Sequence, residues 1–404
     1  AHELGAAALR FSVSEARGLF PPGLADPELS RLTDRTEGWA VALQLARLWL
    51  GEGAARADLL ERFSGRTTEV AEYLAEQVLR GFDESTRRFL LETAPLEQFN
   101  WELANAVCGR TDAATVIDQL SRLTSLLIPL DSERQWYRYH HLFADFLVDL
   151  LRRSAPDRHR EVCCVASRWH EERGALVEAV RYARAASDLD RVARLIERSG
   201  GWEMVLLGGI GRMRTLLNFV PAERLPDYPR LQVARAYLAV KDGQVEAAAN
   251  ALAEIRAACE RRGVAPEPGL QRDLDLMGAL IAVYEDRIAA WPTLEELDAV
   301  VRSALPADSM AAAVLSSVRA VIALGLGSTV EVERSAVEAI RHMRAVGSVL
   351  GRNYCLFHLG LALQFGGRLR EAEATLREAL ATAEENFGAD SGMKAVADVL
   401  LAHV

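Results

Sequence analysis

Apolar positions recur at helical spacing along most of the chain. In the first fifty residues Ser12, with Glu15 three positions later, forms a capping box, and Phe11 stands where a staple residue would. Pro21-Pro22-Gly23 breaks the pattern and Asp26-Pro27 starts the next helix, since proline fits the first helical turn. From Glu37 to Leu50 the chain is apolar around most of a helical circumference, which predicts a helix buried between neighbours, and the more polar stretch 51–68 contains a loop. Helices are expected over 70–80, 84–93, 100–108 and 112–124, the last with Val116, Ile117, Leu120 and Leu123 on one face. The period then drops to two. Leu126–Leu130, the turn Asp131-Ser132-Glu133-Arg134 and Gln135–Tyr139 read as a β-hairpin, and an amphipathic helix from His141 to Leu151 follows. Helices, a hairpin and a last helix make a winged-helix-like module of roughly 80 residues, an ordinary size for a small domain.

Ser154-Ala155-Pro156-Asp157 reads as a linker, and beyond it helix follows helix with no convincing strand. A Gly-x-x-x-Glu-Ala pattern repeats as Gly174…Glu178-Ala179 with Ala186 seven later, and as Gly367…Glu371-Ala372 with Ala379 seven later. Gly243 opens a shifted variant, and Leu359-Gly360 precedes the last copy. Glycine falls where two antiparallel helices turn, alanine where they approach closely; these are positions of the tetratricopeptide repeat (TPR), whose period is about 34 residues. Some 250 residues then allow roughly seven helix pairs, those around 271–300 and 308–345 being degenerate. The expected fold is mainly α: helices over 1–68, a winged-helix-like domain with one β-hairpin over 69–153, and a TPR-like α-solenoid over 154–404.

Composition narrows the function. Half of the 404 residues are hydrophobic and 26% are charged, with a net charge of −10, so the chain can build two or three cored domains. Five cysteines, an odd number, suit a reducing compartment, and neither a signal pattern nor a long uncharged apolar run is present. A cytoplasmic protein with no membrane partner is expected. The acidic balance argues against broad nucleic-acid binding. Positive charge is almost all arginine; the two lysines, Lys241 and Lys394, follow no glycine, so the chain has no P-loop. It also lacks Gly-x-Ser-x-Gly, His-Glu-x-x-His and Cys-x-x-Cys, and no catalytic residue or resident metal is assigned.

Weaker features have plainer readings beside them. Gly208-Gly209-Ile210-Gly211 has no preceding strand and an arginine, Arg214, at the third glycine position of a dinucleotide loop, so it reads as a helix connection. His159, Cys163 and His170 share a helix face at metal-like spacing, yet Cys163-Cys164 also suit a core, where free cysteine behaves as a small hydrophobe. Helix 112–124 stands where a recognition helix would, but Asp112, Asp118 and Arg122 sum to −1, wrong for a groove reader. The densest polar-aromatic run is Tyr137-Arg138-Tyr139-His140-His141-Leu142-Phe143. Its imidazoles either meet a phosphate oxygen or pack the hairpin onto the last helix.

Three segments, Leu9-Arg10-Phe11-Ser12 with Glu15-Ala16, Thr36-Glu37-Gly38-Trp39 running into Ala42–Ala46, and Trp136-Tyr137-Arg138-Tyr139-His140-His141-Leu142-Phe143, resemble the MalT-like, LuxR-family ATP-dependent transcriptional regulators of the STAND class. The motifs stand in the family's order, and the resemblance covers essentially the whole chain. That family carries a P-loop ATPase, a helical subdomain, a winged helix, a TPR-type sensor and a C-terminal helix-turn-helix. The resemblance implies that this chain spans the helical subdomain, winged helix and sensor, and that ATP or ADP and DNA engage parts of a longer parent. It further implies that His140 matches the histidine that reaches the β-phosphate of bound ADP, with His141 where relatives often carry aspartate.

By the same resemblance, residues 155–404 bind a small-molecule inducer or an inhibitory protein, with self-association on activation. Aromatic and polar candidates for that site are Trp202, Tyr237, Tyr284, Trp291, Arg352, Tyr354 and His358, each of which also has a core-packing alternative. The expected function is regulatory and not enzymatic, although the parent would bind and slowly hydrolyse ATP. A free-standing TPR adaptor for a peptide or protein partner is the alternative, and scarcity of lysine weighs against it. An enzyme with an unrecognised site has no motif behind it.

Overall fold

The computed structural model describes residues 10–20, 24–51, 68–123, 126–285, 310–387 and 392–404. The chain divides into two compact units, Ala1–Asp188 and Leu189–Val404. The expected break at 21–23 and most of the polar stretch 51–68 lie outside the described residues.

The first unit opens with α1 (Val13–Arg17), capped by Ser12, whose side chain accepts from the Glu15 amide while the Glu15 carboxylate accepts from the Ser12 amide. α2 (Asp26–Thr36) carries Pro27 in its first turn, and α3 (Ala40–Gly51) buries Ala42, Leu43 and Ala46 against Leu29 and Leu32 in one core. The helix expected over 70–80 is α4 (Thr68–Tyr73) running into a π turn at Leu74–Val78 and a 3₁₀ turn at Leu79–Gly81. The irregular end is held by Arg87, whose guanidinium donates to the Leu79 and Arg80 carbonyls. Such side-chain donors satisfy carbonyls that a helix end leaves open.

α5 (Glu84–Thr93), α6 (Trp101–Cys108) and α7 (Ala113–Leu123) follow. The hairpin joins β1 (Leu127–Pro129) to β2 (Tyr137–Tyr139), with Leu127 opposite Tyr139, Ile128 opposite Arg138 and Pro129 opposite Tyr137. Phe99 adds a bridge by exchanging both backbone hydrogen bonds with Tyr137 at 2.8 Å. Asp131 closes the turn by accepting from the Gln135 and Trp136 amides. Behind the sheet the fully buried Thr93 and Tyr139 share a 2.7 Å hydroxyl hydrogen bond.

α8 (His141–Ser154) and α9 (Pro156–Glu172) are separated by Ala155 alone, so the stretch expected as a linker is a helix–helix corner. Proline forces the break because it cannot continue the preceding helix's hydrogen bonding, yet suits the first turn of the next. α9 and α10 (Leu176–Ala185) pack into the first unit: Arg158 donates to Glu92 and to the Val107 carbonyl, and the Glu97 amide donates to Tyr182.

The second unit is wholly helical among the described residues. It contains α11 (Leu189–Arg198), α12 (Met204–Leu217), α13 (Pro229–Lys241), α14 (Val245–Arg261), α15 (Pro268–Tyr284), α16 (Met310–Gly325), α17 (Thr329–Ala345), α18 (Val349–Phe365), α19 (Leu369–Phe387) and α20 (Gly392–Leu401). Successive helices pack on one another, α13 on α14 and then α16 through α20 in order. The expected close approach is visible between α18 and α19, where a Cβ on Gly360 would stand 2.6 Å from the Leu376 side chain. Ala372 and Ala379 of the repeat pattern are fully buried, and the turn glycine Gly367 adopts φ 74°. Gly209 kinks α12 at φ 83°, with no strand before it among the described residues. No described helix is long and apolar enough to cross a membrane.

Candidate functional site

Two places in the chain concentrate polar chemistry. The first lies where α2 ends. Glu37 caps α2 in the left-handed region at φ 47°, and Gly38 follows at φ 67°. A Cβ on Gly38 would stand 2.5 Å from the Phe11 carbonyl oxygen, and the Phe11 amide donates to the Gly38 carbonyl at 2.8 Å. Only glycine permits that approach at that conformation.

The turn aims the Glu37 carboxylate at the winged-helix hairpin. Arg138 donates to both of its oxygens at 2.9 Å, His141 Nδ1 donates to Oε1 at 2.8 Å, and Arg10 reaches Oε2 at 3.4 Å. Burial alone would raise the Glu37 pKa, but the bonds from Arg138 and His141 outweigh it and hold the carboxyl at about 2. His140 is buried beside this hub. Its Nε2 donates to the Thr36 carbonyl at 3.0 Å, and its ring lies 5.4 Å from that of Trp39.

Burial pushes the His140 pKa down to about 4 against the opposing charge of Glu37, so the ring is neutral at physiological pH. A neutral imidazole that donates from Nε2 carries a lone pair on Nδ1, and His140 Nδ1 is buried without a partner. To donate to a phosphate, this ring must be protonated or must release Thr36. Thus the three motifs behind the family resemblance meet at one point, with Glu37 at its centre.

Glu37, His140 and His141 also bring one ligand atom each within 4.8 Å of one another, as a metal site would. The Arg138 guanidinium already occupies both Glu37 oxygens, so a cation there would face an existing positive charge. His159 and His170 are otherwise engaged: His159 Nε2 accepts from Arg152, and His170 stacks on Tyr182.

The second place is a cavity of about 360 Å³ inside the second unit, between α13, α15, α16, α18 and α20. Of the candidate sensor residues, Tyr237, Tyr284, Tyr354 and His358 line it together. Trp202 does not: it is buried behind Tyr237, edge-on at 5.6 Å. Arg352 is absent from the wall and donates to Thr382 at 3.0 Å, and Trp291 lies outside the described residues.

Lys241, at the end of α13, was not among those candidates. Its Nζ donates to the Tyr284 hydroxyl at 3.1 Å and lies 4.2 Å from the Tyr354 ring centre and 5.1 Å from that of Tyr237. Burial opposes the charge, but the three tyrosines outweigh it and hold the amine above its ordinary pKa. Burial and the nearby Lys241 charge push His358 down to about 4, and its Nδ1 is buried without a partner. Being one of only two lysines in the chain was the signal that could have marked Lys241.

A family model described as the MalT winged helix domain matches residues 75–159. The serine/threonine-protein kinase PknK of Mycobacterium tuberculosis is 33% identical over 295 residues, covering 71% of this chain and 26% of that protein. The HTH-type transcriptional regulator MalT of Vibrio campbellii is 28% identical over 295 residues, covering 70% of this chain and 32% of that protein. The chain therefore spans between about a quarter and a third of these curated relatives. In fold it is similar to the crystal structure of a STAND protein with a tetratricopeptide repeat sensor from Pyrococcus horikoshii, with a TM-score of 0.60 at 16% identity over 96% of this chain and 55% of that one. A MalT-type winged helix over 75–159 and MalT relatives along 70% of the chain mark it as MalT-like, and the STAND protein with a TPR sensor shares its fold.

Proposed function

We propose that this chain is the regulatory, signal-sensing portion of an ATP-dependent transcriptional regulator, and that the second unit takes up a small-molecule inducer. The observation that carries this reading is the cavity, which gathers polar groups from α13, α15 and α18 beside apolar walls and opens to solvent at Tyr284, which is 46% exposed. Its size falls in the roughly 300–1,000 Å³ range of small-molecule sites, and a few placed polar groups among apolar ones are what such sites need for orientation. The relatives support the reading from another side. One is named as a kinase and another as an HTH-type regulator, so the matched region is common to proteins with different outputs.

In this reading 1–68 is the helical subdomain, 69–153 the winged helix and 154–404 the sensor. The hub around Glu37 is the resting-state latch. Within a longer cytoplasmic parent, His140 would exchange its Thr36 bond for a phosphate oxygen of bound ADP. Inducer uptake would favour the released state, ATP exchange and self-association, with DNA engaged through another domain. Such coupling requires the inducer to bind one state more tightly than the other.

The test is a ligand-observed NMR screen of small metabolites against the 404-residue chain, with Val321→Trp as a cavity-filled control whose folding is checked by circular dichroism. Val321 lines the cavity. The reading expects ligands whose signal disappears in the filled variant. A screen in which no ligand depends on the cavity contradicts it.

A further inference from the structure

The cavity also indicates what it would hold. Its cation is unusual: among the described residues Lys241 has no carboxylate partner, and its surroundings are the Tyr284 hydroxyl and the rings of Tyr237, Tyr284 and Tyr354. Aromatic faces attract an ammonium and lessen the cost of removing it from water, but they leave its charge uncompensated. Across the same space stands His358, whose Nδ1 has no partner. The remaining wall is largely aliphatic, with Leu280, Val283, Val318, Val321, Leu361 and Leu400 among its members.

A sugar would bury many hydroxyls against a surface with few groups to satisfy them, and each one left unpaired carries a desolvation cost. A cationic ligand would meet Lys241 head-on. One carboxylate at the polar end and a hydrocarbon tail along the aliphatic wall satisfy both halves of the cavity.

Building on the reading of the second unit as an effector site, we infer that it takes a monocarboxylic acid with an apolar tail of about a dozen heavy atoms in all. The size follows from about 360 Å³ at the ~30 Å³ that a water-sized group takes in a liquid. The carboxylate pairs with Lys241 Nζ, and His358 donates to it in the tautomer that carries the proton on Nδ1. The tyrosines hold the ammonium in place, so little side-chain freedom is lost on binding.

Isothermal titration of the 404-residue chain tests this with decanoate against decanol and 4-phenylbutyrate against 4-phenylbutanol, pairs that keep the tail and change the head, and with decylamine. Decanoate and 4-phenylbutyrate separate an aliphatic from an aryl source of the same chemistry. The inference expects at least one acid to bind ten-fold or more tightly than its alcohol, and that preference to fall to about one-fold in Lys241→Met. Lys241→Arg, which keeps the charge, should retain part of it.

An alcohol or the amine binding as tightly as the acids, yet lost in Val321→Trp, overturns the inference while leaving the effector reading intact. Acid binding that survives Val321→Trp lies outside the cavity and overturns the inference. If none of the five compounds binds, the acid assignment is wrong, and the metabolite screen decides the effector reading separately. If Lys241→Met unfolds, Lys241→Gln replaces it, with the thermal transition as the check on folding.

Discussion

Replacing Glu37 by glutamine keeps the side chain's shape and removes the charge on which Arg138, His141 and Arg10 converge. The Glu37 and Arg138 side chains are 14% and 30% exposed, so the pair lies between two regimes. Breaking a fully buried pair costs about 3–5 kcal/mol, while an exposed one is worth about 0.2–1 kcal/mol. Two charge-assisted bonds at 2.9 Å in a half-buried setting put the loss at about 2 kcal/mol.

Urea unfolding of Glu37→Gln, Arg138→Met and the double variant, followed by tryptophan fluorescence, isolates the pair as a coupling energy, expected at about 1–2 kcal/mol. The acid limb supplies a second check. A carboxyl held at about 2 in the folded state, against a reference of 4.5, stabilises the fold above about pH 4.5 and loses that contribution as the pH falls towards 2. The wild type and Glu37→Gln should therefore converge at the acid end. A coupling energy below about 0.3 kcal/mol at pH 7 would show that the hub is an incidental surface contact.

Other consequences are equally specific. His140 is neutral and buried, at about 4 when folded against 6.5 when free, so its contribution is complete above about pH 6.5 and is lost as the pH falls through 4. Between pH 7 and pH 4 the wild type should lose about 3 kcal/mol more than His140→Gln, measured by denaturant titration at each pH. Thr93→Val strands the Tyr139 hydroxyl and should cost about 1–3 kcal/mol in the same assay, with part recovered on adding Tyr139→Phe. Gly360→Ala drives a methyl into Leu376 and should lower the stability of the second unit by about 1–3 kcal/mol; Leu376→Ala should then cost less than it does alone.

What the sequence revealed depended on how local the cause was. The Ser12 capping box and the Asp131 turn are set by residues a few positions apart, and the helices and hairpin formed where the periodicity put them, whereas the stretch at Pro156 that read as a linker is a corner between two helices. The π turn at Leu74–Val78 escaped the pattern, because period alone cannot distinguish one helical ladder from another. The hub was legible only in pieces. Arg138 lies 101 positions from Glu37, and the left-handed turn that aims the carboxylate belongs to a residue type that rarely adopts it. Four aromatic or polar candidates share the cavity wall, whereas Trp202 packs behind it, because spacing along a helix does not say which buried ring faces an open space. The significance of Lys241 was hidden for the same reason: its three tyrosines come from three helices.

Hydrogen exchange on the 404-residue chain, free and saturated with its tightest cavity-dependent ligand, tests the sensing role most directly. Slower exchange is expected in the cavity helices, around 237–241, 314–321 and 351–361, together with a changed rate at 36–39 and 138–141, where the proposed latch lies. Protection confined to the cavity, with the Glu37 hub unchanged, would contradict coupling between the site and the latch.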